Sequence, residues 1–312
     1  MLVIQNTRDF RIEVPTIVTI GTFDGVHLGH QKILHRIAEI KAQTGLKTLV
    51  LTFDPHPRKV LFPEQKDLKL LTGIEERLEL LEKNGIDICV VYPFDTEFSQ
   101  TDSSYYIEQI LLKQLHVNYL AIGHDHRFGK NRSGNLDTLL DYSRRFGFSL
   151  EEISAKDIDQ IAVSSSKIRK ALEDGQLELA NSFLGHPYFI TALVVKGKQL
   201  GRQLGYPTAN LYLENKEKII PAKGVYLVEV EMEGTHYHGM MSIGVNPTTD
   251  NDQITKLEVN IFDFDSDIYN RHITVRFIKR LRDEENFKDL EALKAQLRID
   301  QETCLNLIAE YK

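Results

Sequence analysis

Two histidines three residues apart in a glycine-rich stretch are the first chemical signal in this chain: His27 and His30 in "GTFDGVHLGHQKIL", Gly21 to Leu34. Gly21, Gly25 and Gly29 let the backbone come close to a ligand, and Ile33, Leu34, Ile37 and Ile40 mark one face of a helix that opens there. A helix N-terminus offers unpaired N–H groups and about half a positive charge, so two imidazoles beside it suit a polyphosphate. The same residues also read as a glycine turn with two surface histidines, or as part of a metal site lacking a third ligand at a telling spacing. A second stretch, "GKQLGRQLGYPTANL" from Gly197 to Leu211, lacks the Gly-Lys-Ser/Thr ending of a P-loop and on its own resembles a loop between strands. Within it Thr208 and Asn210 lie two residues apart, so on extended chain both hard oxygens project to one side, where a magnesium ion and its phosphates could be held. Glu258, in "KLEVNIFDFDSDIYN", is either a general base or a solvent-facing strand residue.

The elements that must position these residues fall into two halves. Continuous apolar runs at Thr16–Gly21, Lys47–Phe53, Ile86–Phe94 and Val117–Gly123 suit strands covered on both faces. Helical patterns separate them, one with Thr72 placed three residues before Glu75 as a capping box, another marked by Ile107, Ile110, Leu111 and Leu115. This alternation predicts an α/β, doubly wound parallel-sheet (Rossmann-like) domain with its ligand at the carboxyl ends of the strands. Further on, short runs alternate with period two: Phe189–Gly197, Gly224–Gly234, His236–Gly244, Lys256–Phe264 and His272–Ile278, with "MEGTHY" as a hairpin. They predict a small antiparallel β-barrel closed by terminal helices bearing Leu290, Leu293, Leu297, Cys304, Leu307 and Ile308. The expected domains are 1–184 and 185–312.

Composition bounds the partners. With 312 residues, 42% hydrophobic and 27% charged, the chain is ordinary globular material long enough for two cores. Its net charge of −7, from 38 Lys plus Arg against 45 Asp plus Glu, argues against non-specific nucleic-acid binding. Cys89 and Cys304 form no metal-type cluster, and no apolar run reaches the ~18 residues of a membrane span. The expectation is a cytoplasmic protein, a monomer or weak homo-oligomer, acting on small molecules without membrane or nucleic-acid partners.

Four segments in order, "FDGVHLGH", "TFDPHPRKVLFP" (Thr52 to Pro63), "GHDHRFGKNRSG" (Gly123 to Gly134) and "VSSSKIRKAL" (Val163 to Leu172), resemble the His-x-Gly-His nucleotidylyltransferase motif set of bacterial bifunctional riboflavin kinase/FAD synthetases. "GYPTAN" and the Glu-x-x-x-x-Asp-Phe segment ending at Asp263 and Phe264 are similar to the riboflavin kinase motifs of the same family. The resemblance implies an FMN adenylyltransferase domain and a kinase barrel, with ATP, riboflavin, FMN and FAD as substrates and products and Mg²⁺ carried by ATP. It implies His27, His30, Arg169 and Glu258 as catalytic, and Thr208 and Asn210 as metal ligands. Ser164, Ser165 and Ser166 would clamp the triphosphate together with Arg169. Gly21, Phe23, Asp24, Gly25, Gly29, Asp54, Pro55, His56, Pro57, Asp125, Phe128 and Gly129 would border nucleotide and flavin. In the barrel Gly201, Arg202, Gly205 and Pro207 would flank the nucleotide, while Arg282 and Glu284 of "LRDEENF" would cover the isoalloxazine ring. Phe287 could equally be core, and Arg58, Lys59, Lys130 and Arg132 are as readily solvated charges as phosphate contacts.

The two reactions need different equipment. A phosphate monoester with a second pKa near ~6 is already mostly dianionic at neutral pH, so adenylyl transfer requires positive charge and alignment but no base. A primary hydroxyl is about as weak an acid as water, so phosphorylating riboflavin benefits from a carboxylate such as Glu258. Lys196, Asn260, His126 and Asn270 depart from residues common in the family, Asn260 on the same strand face as Glu258. Competing readings are a nucleotidylyltransferase for another phosphate acceptor, which leaves the second magnesium-ATP motif without a purpose, and a flavin binder without turnover, which has no use for a base.

Overall fold

A computed structural model describes residues 1–64, 67–123, 126–153, 163–197, 201, 205–246 and 254–310. Asp125 and Arg202 lie outside them. The chain divides into two compact units, Met1–Ser165 and Ser166–Lys312.

The first unit is built on six strands: β1 (Leu2–Gln5), β2 (Thr16–Ile20), β3 (Lys47–Asp54), β4 (Ile88–Pro93), β5 (Val117–Gly123) and β6 (Ser149–Ile153). All pairs are parallel and the order is β1-β4-β3-β2-β5-β6. β2, fully buried along its length, is where the winding reverses: β3 and β4 lie to one side and β5 and β6 to the other. Such a switch point leaves a crevice beyond the carboxyl ends of the central strands. Helix α1 (Leu28–Thr44) buries Leu34, Ile37 and Ile40 against the sheet and stops at Gly45, whose left-handed backbone returns its N–H to the carbonyl of Lys41. Each such side chain stabilises the unit by roughly 1.5–3 kcal/mol.

Helix α2 (Ile74–Lys83) begins one residue later than the Thr72/Glu75 capping box predicts. The carboxylate of Glu76 accepts the N–H of Gly73 at 2.8 Å, while Thr72 Oγ1 is engaged by the N–H of Gly25 at 3.0 Å. A tertiary contact has taken Thr72, and only half of a box forms one position on, Glu76 on the Gly73 N–H, because glycine has no side chain to cap with. Helix α3 (Tyr106–Gln114) carries the expected buried residues Ile107, Ile110 and Leu111, but its turns are widened, as in the bond from Leu115 N–H to Ile110 O at 2.9 Å. Helix α4 (Leu136–Phe146) precedes β6. β1 and β6 were not expected; both are short edge strands, β1 largely exposed although Leu2, Val3 and Ile4 are apolar, and β6 mostly polar with only Ile153 buried.

Helix α5 (Ser165–Glu173) opens at the division and α6 (Leu177–Leu184) packs on barrel strands of the second unit, so the division falls before the expected 184/185 boundary. That unit holds β7 (Tyr188–Val195), β8 (Ala209–Tyr212), β9 (Gly224–Met232), β10 (Thr235–Asn246), β11 (Ile254–Ile261) and β12 (His272–Arg282). They close an antiparallel barrel in the order β10-β11-β8-β7-β12-β9. The hairpin between β9 and β10 turns on Glu233 and Gly234, both with positive φ (51° and 77°), the backbone of a tight two-residue turn. Tyr226, Val228, Val230, Val259, Val275 and Phe277 are buried, as period two predicts. A single helix, α7 (Leu290–Glu310), ends the chain where several were expected. Its Cys304 is fully buried among Leu227, Met240 and Phe262, and Cys89 on β4 is fully buried in the first unit.

Candidate active sites

The first site lies at the switch point. The chain leaves β2 with Gly21 N–H bound to Leu51 O at 3.1 Å, then folds through Phe23, Gly25 and Val26, all with positive φ. Two of these are not glycine, so the loop is held in a costly conformation by its surroundings. The holder is Asp24, fully buried, whose Oδ1 accepts the N–H groups of Leu71 and Thr72 at 2.9 and 3.0 Å and the Thr72 hydroxyl at 3.3 Å. Asp24 therefore shapes the loop through its carboxylate, while its carbonyl accepts the Ser165 hydroxyl at 3.1 Å and ties the last residue of this unit to the loop.

His27 caps α1, its Nδ1 accepting the His30 N–H at 3.4 Å. The two imidazoles stack with centroids 3.7 Å apart, and Phe23 lies 5.0 Å from the His30 ring. Burial, together with the neighbouring His27 and Arg77, holds His30 well below the usual imidazole range. Its Nδ1 is buried without a hydrogen-bond partner among the described residues. A neutral imidazole at a helix N-terminus can donate an N–H toward a phosphate oxygen without a second cation crowding its stacked neighbour.

Other expected residues sit at the same edge of the sheet. Asp54 ends β3, the Asp54–Pro55 peptide bond is cis, and His56 caps the short turn from Pro57 by accepting the Arg58 N–H at 3.1 Å. Phe128 is 7% exposed and packs against Tyr106, and Gly134 faces its ring so closely that a Cβ there would sit 2.4 Å away. Gly129 lies against the backbone of Ser103. Phe128 and Gly129 thus close the loop after β5 as packing residues. Ser164 precedes α5, and Ser166 and buried Arg169 lie on it in the second unit. Arg77 was not expected: it is 2% exposed, and its Nη1 donates to Thr52 Oγ1 and to Phe53 O, both at 3.1 Å. An arginine among Glu75, Glu76 and Glu79 on a helix looks like solvated surface from sequence.

In the barrel, Glu258 on β11 stands directly opposite Asn210 on β8 and Ser242 on β10. The Asn210 amide occupies the space where Gly197 has no side chain, since a Cβ there would lie 2.1 Å from its nitrogen; a Cβ on Gly201 would lie 3.2 Å from Thr208 Oγ1. A hydroxyl, an amide and a facing carboxylate are hard oxygen donors, a set that fits Mg²⁺. Lys256 Nζ pairs with Glu258 Oε2 at 2.8 Å, a partner two residues away on the same strand face that sequence reading passed over. Asn260 donates to the Pro207 carbonyl at 2.7 Å, fixing the start of β8. A cavity of about 420 Å³ is lined by Pro207, Thr208, Val259, Ile261, Asp265 and Tyr269 among others. Thr208 opens into it, whereas Asn210 and Glu258 belong to the strand face opposite that of Ala209 and Val259.

Arg282, expected to border the flavin, is held by the terminal helix. β12 bulges between Phe277 and Lys279 and again between Arg280 and Arg282, and the redirected Arg282 grips Asp300 of α7, with Nε to Oδ1 at 2.9 Å and Nη2 to Oδ2 at 2.8 Å. Its guanidinium also lies 5.7 Å from the Phe287 ring. Glu284 stands over Gly244, where a Cβ would lie 2.1 Å from its Oε1. Gly205 has a φ of +85° before Pro207.

Two family models match the chain, "FAD synthetase" over residues 10–167 and "Riboflavin kinase" over residues 184–308. The bifunctional riboflavin kinase/FMN adenylyltransferase of Listeria monocytogenes is 38% identical over 297 residues, 95% of this chain and 93% of its own. That of Bacillus subtilis is 34% identical over 304 residues, 96% and 95% of the two chains. The chain belongs to the bifunctional riboflavin kinase/FMN adenylyltransferase family. That of Escherichia coli K12 is 38% identical over 289 residues, 92% and 91%. A crystal structure described as a macrolide-efflux protein from Streptococcus pneumoniae matches with a TM-score of 0.86 at 30% identity, covering 98% of this chain and 99% of that one. It supports the architecture, while the activity rests on the family models and the bifunctional relatives. No helix among the described residues is long and apolar enough to cross a membrane. Family membership places the histidine loop in the synthetase segment and Thr208, Asn210 and Glu258 in the kinase segment.

Proposed function

We propose that the two activities of the family are divided between the two halves of this chain: residues 185–312 phosphorylate riboflavin with ATP to FMN, and residues 1–184 adenylylate FMN with ATP to FAD and pyrophosphate. The matched segments, 10–167 and 184–308, support this division. The observation that carries it is that each half holds equipment suited to one nucleophile and not the other. The stacked pair His27 and His30 at a helix start offers donors to the nucleotide phosphates, and the already ionised phosphate of FMN needs no base.

Glu258 is the base that the ribityl hydroxyl of riboflavin requires, held through one oxygen by Lys256 and facing Asn210. Thr208 and Asn210 hold the Mg²⁺ of ATP, which when bound supplies charge to the transferring phosphoryl group. Ser165, whose hydroxyl is held on the carbonyl of Asp24, serves the triphosphate in the adenylyl transfer. The protein is cytoplasmic and a monomer or weak homo-oligomer, and its net charge of −7 supports the absence of nucleic-acid partners.

Purified enzyme is assayed with riboflavin, ATP and Mg²⁺, and flavins are resolved by chromatography. Glu258→Ala abolishes FMN formation and leaves conversion of added FMN to FAD, and His30→Ala does the reverse. Loss of both activities in each variant would refute the division. FAD formed from riboflavin at the wild-type rate by either variant would refute that residue's role.

A further inference from the structure

Beneath the histidine pair runs a hydrogen-bonded path that the assigned roles do not use. Arg77, on α2, is 2% exposed, and its Nη1 donates to Thr52 Oγ1 at 3.1 Å and to the carbonyl of Phe53 at 3.1 Å, at the carboxyl end of β3. The Thr52 hydroxyl passes its own proton to the carbonyl of Thr22 at 3.1 Å, inside the glycine loop. Thr22 is followed by Phe23, which packs on His30. A buried guanidinium is thus linked through one hydroxyl to the loop that carries the histidines. A few residues before it, Leu71 and Thr72 hold the same loop through Asp24. The segment 71–77 therefore grips the loop at two points.

A buried arginine is expensive unless its charge has a use. Among the described residues Arg77 makes no ion pair within salt-bridge distance and its Nε is buried without a partner, and the carboxylates that oppose the effect of burial are Asp24 and Asp54. Asp24 is occupied with the 71–72 backbone, and Asp54 is at the strand end where ligand is expected. The groups that face His30 are His27 from the cap of α1 and Arg77 from α2, both positive or potentially so. Two charged imidazoles 3.7 Å apart above a third cation would repel strongly.

We propose that Arg77 is a positioning residue of the adenylyl-transfer site, a buried guanidinium that braces the glycine loop carrying His27 and His30 through the hydroxyl of Thr52. This rests on the reading that the histidine loop serves adenylyl transfer. The downward displacement of His30 from the imidazole range, caused by burial and by both neighbours, agrees with this arrangement.

The test compares the full-length enzyme with Arg77→Met, Arg77→Lys and Thr52→Val, with His30→Gln used to assign the His30 resonance. Histidine ring signals are followed by NMR from about pH 5.5 to 8, the interval in which an ordinary imidazole titrates. Adenylylation of FMN and phosphorylation of riboflavin are measured on the same preparations. In the wild type and in Arg77→Met alike His30 does not titrate in that interval, because burial is the main cause of its displacement, whereas in Arg77→Met kcat for FAD formation falls ~10-fold or more while KM for FMN and riboflavin phosphorylation are retained. Arg77→Lys keeps His30 silent and recovers part of the rate. Thr52→Val keeps the charge and breaks the path, so His30 stays silent and the rate still falls.

A purely structural Arg77 would lower the melting temperature without changing kcat for FAD formation in the folded protein, and that result overturns the proposal. So does a wild-type adenylylation rate in Arg77→Met. If Arg77→Met does not fold, Thr52→Val decides: an unaltered rate there overturns it. Wild-type FAD formation by His30→Ala would instead refute the underlying reading of the histidine loop.

Discussion

Asp24 shows how a residue expected beside a ligand works mainly on its own backbone. Its buried carboxylate gathers two N–H groups and a hydroxyl from residues 71 and 72, and so sets the left-handed turn that presents His27. Hydrogen bonds to a charged group are the stronger kind, and removing the acceptor strands buried donors. Asp24→Ala should therefore cost about 3 kcal/mol in urea unfolding of the first unit and reduce FAD formation, leaving riboflavin phosphorylation in the folded protein unchanged. The role of Asp24 was only half visible in sequence. The motif marked the residue, but its partners lie 47 and 48 positions away. Arg77 was invisible for a related reason: a helix rich in glutamate gives no sign that one of its cations is buried. Lys256, by contrast, stood two residues from Glu258 in plain alternation and could have been paired with it from spacing alone.

At the scale of elements, two close approaches make sharp predictions. Gly197→Ala would drive a methyl group into the Asn210 amide, so KM for ATP in the kinase reaction should rise several-fold while FAD formation from added FMN is unaffected. Gly134→Ala would press on the buried Phe128 ring and should lower the thermal stability of the first unit by about 1–3 kcal/mol, read by a calorimetric scan. The central strands β2 to β5 and most barrel strands were legible because each buries a period that shows in the residues. β1 and β6 were hidden because edge strands owe their place to hydrogen bonding with a neighbour, not to burial of an apolar run. The cap of α2 moved by one residue because Thr72 was recruited by the glycine loop, a long-range contact overriding a local rule. The bulges of β12 likewise turned Arg282 toward Asp300, where a regular strand would have aimed it elsewhere.

At the scale of the whole molecule, the chain is two units with separate cores, one parallel and one antiparallel. Length and motif order made this organisation readable in sequence; the helices α5 and α6 blurred its edge, because α6 is a helix by pattern but belongs to the barrel by packing. Each unit also contains one cysteine, Cys89 or Cys304, with no exposed surface and a thiol that burial pushes up to about 12. Thiolate is the reactive form, so neither should react with Ellman's reagent at pH 8 in the native state. In the Cys304→Ala variant modification should track opening of the parallel-sheet unit, and in Cys89→Ala that of the barrel, as urea is raised. Coincident labelling midpoints would mean that the two units melt as one cooperative block, and separated midpoints that each has a stability of its own. The molecule thus carries a pair of native chemical clocks, one per catalytic half, able to show which half a bound flavin or nucleotide protects without any added label in the fold.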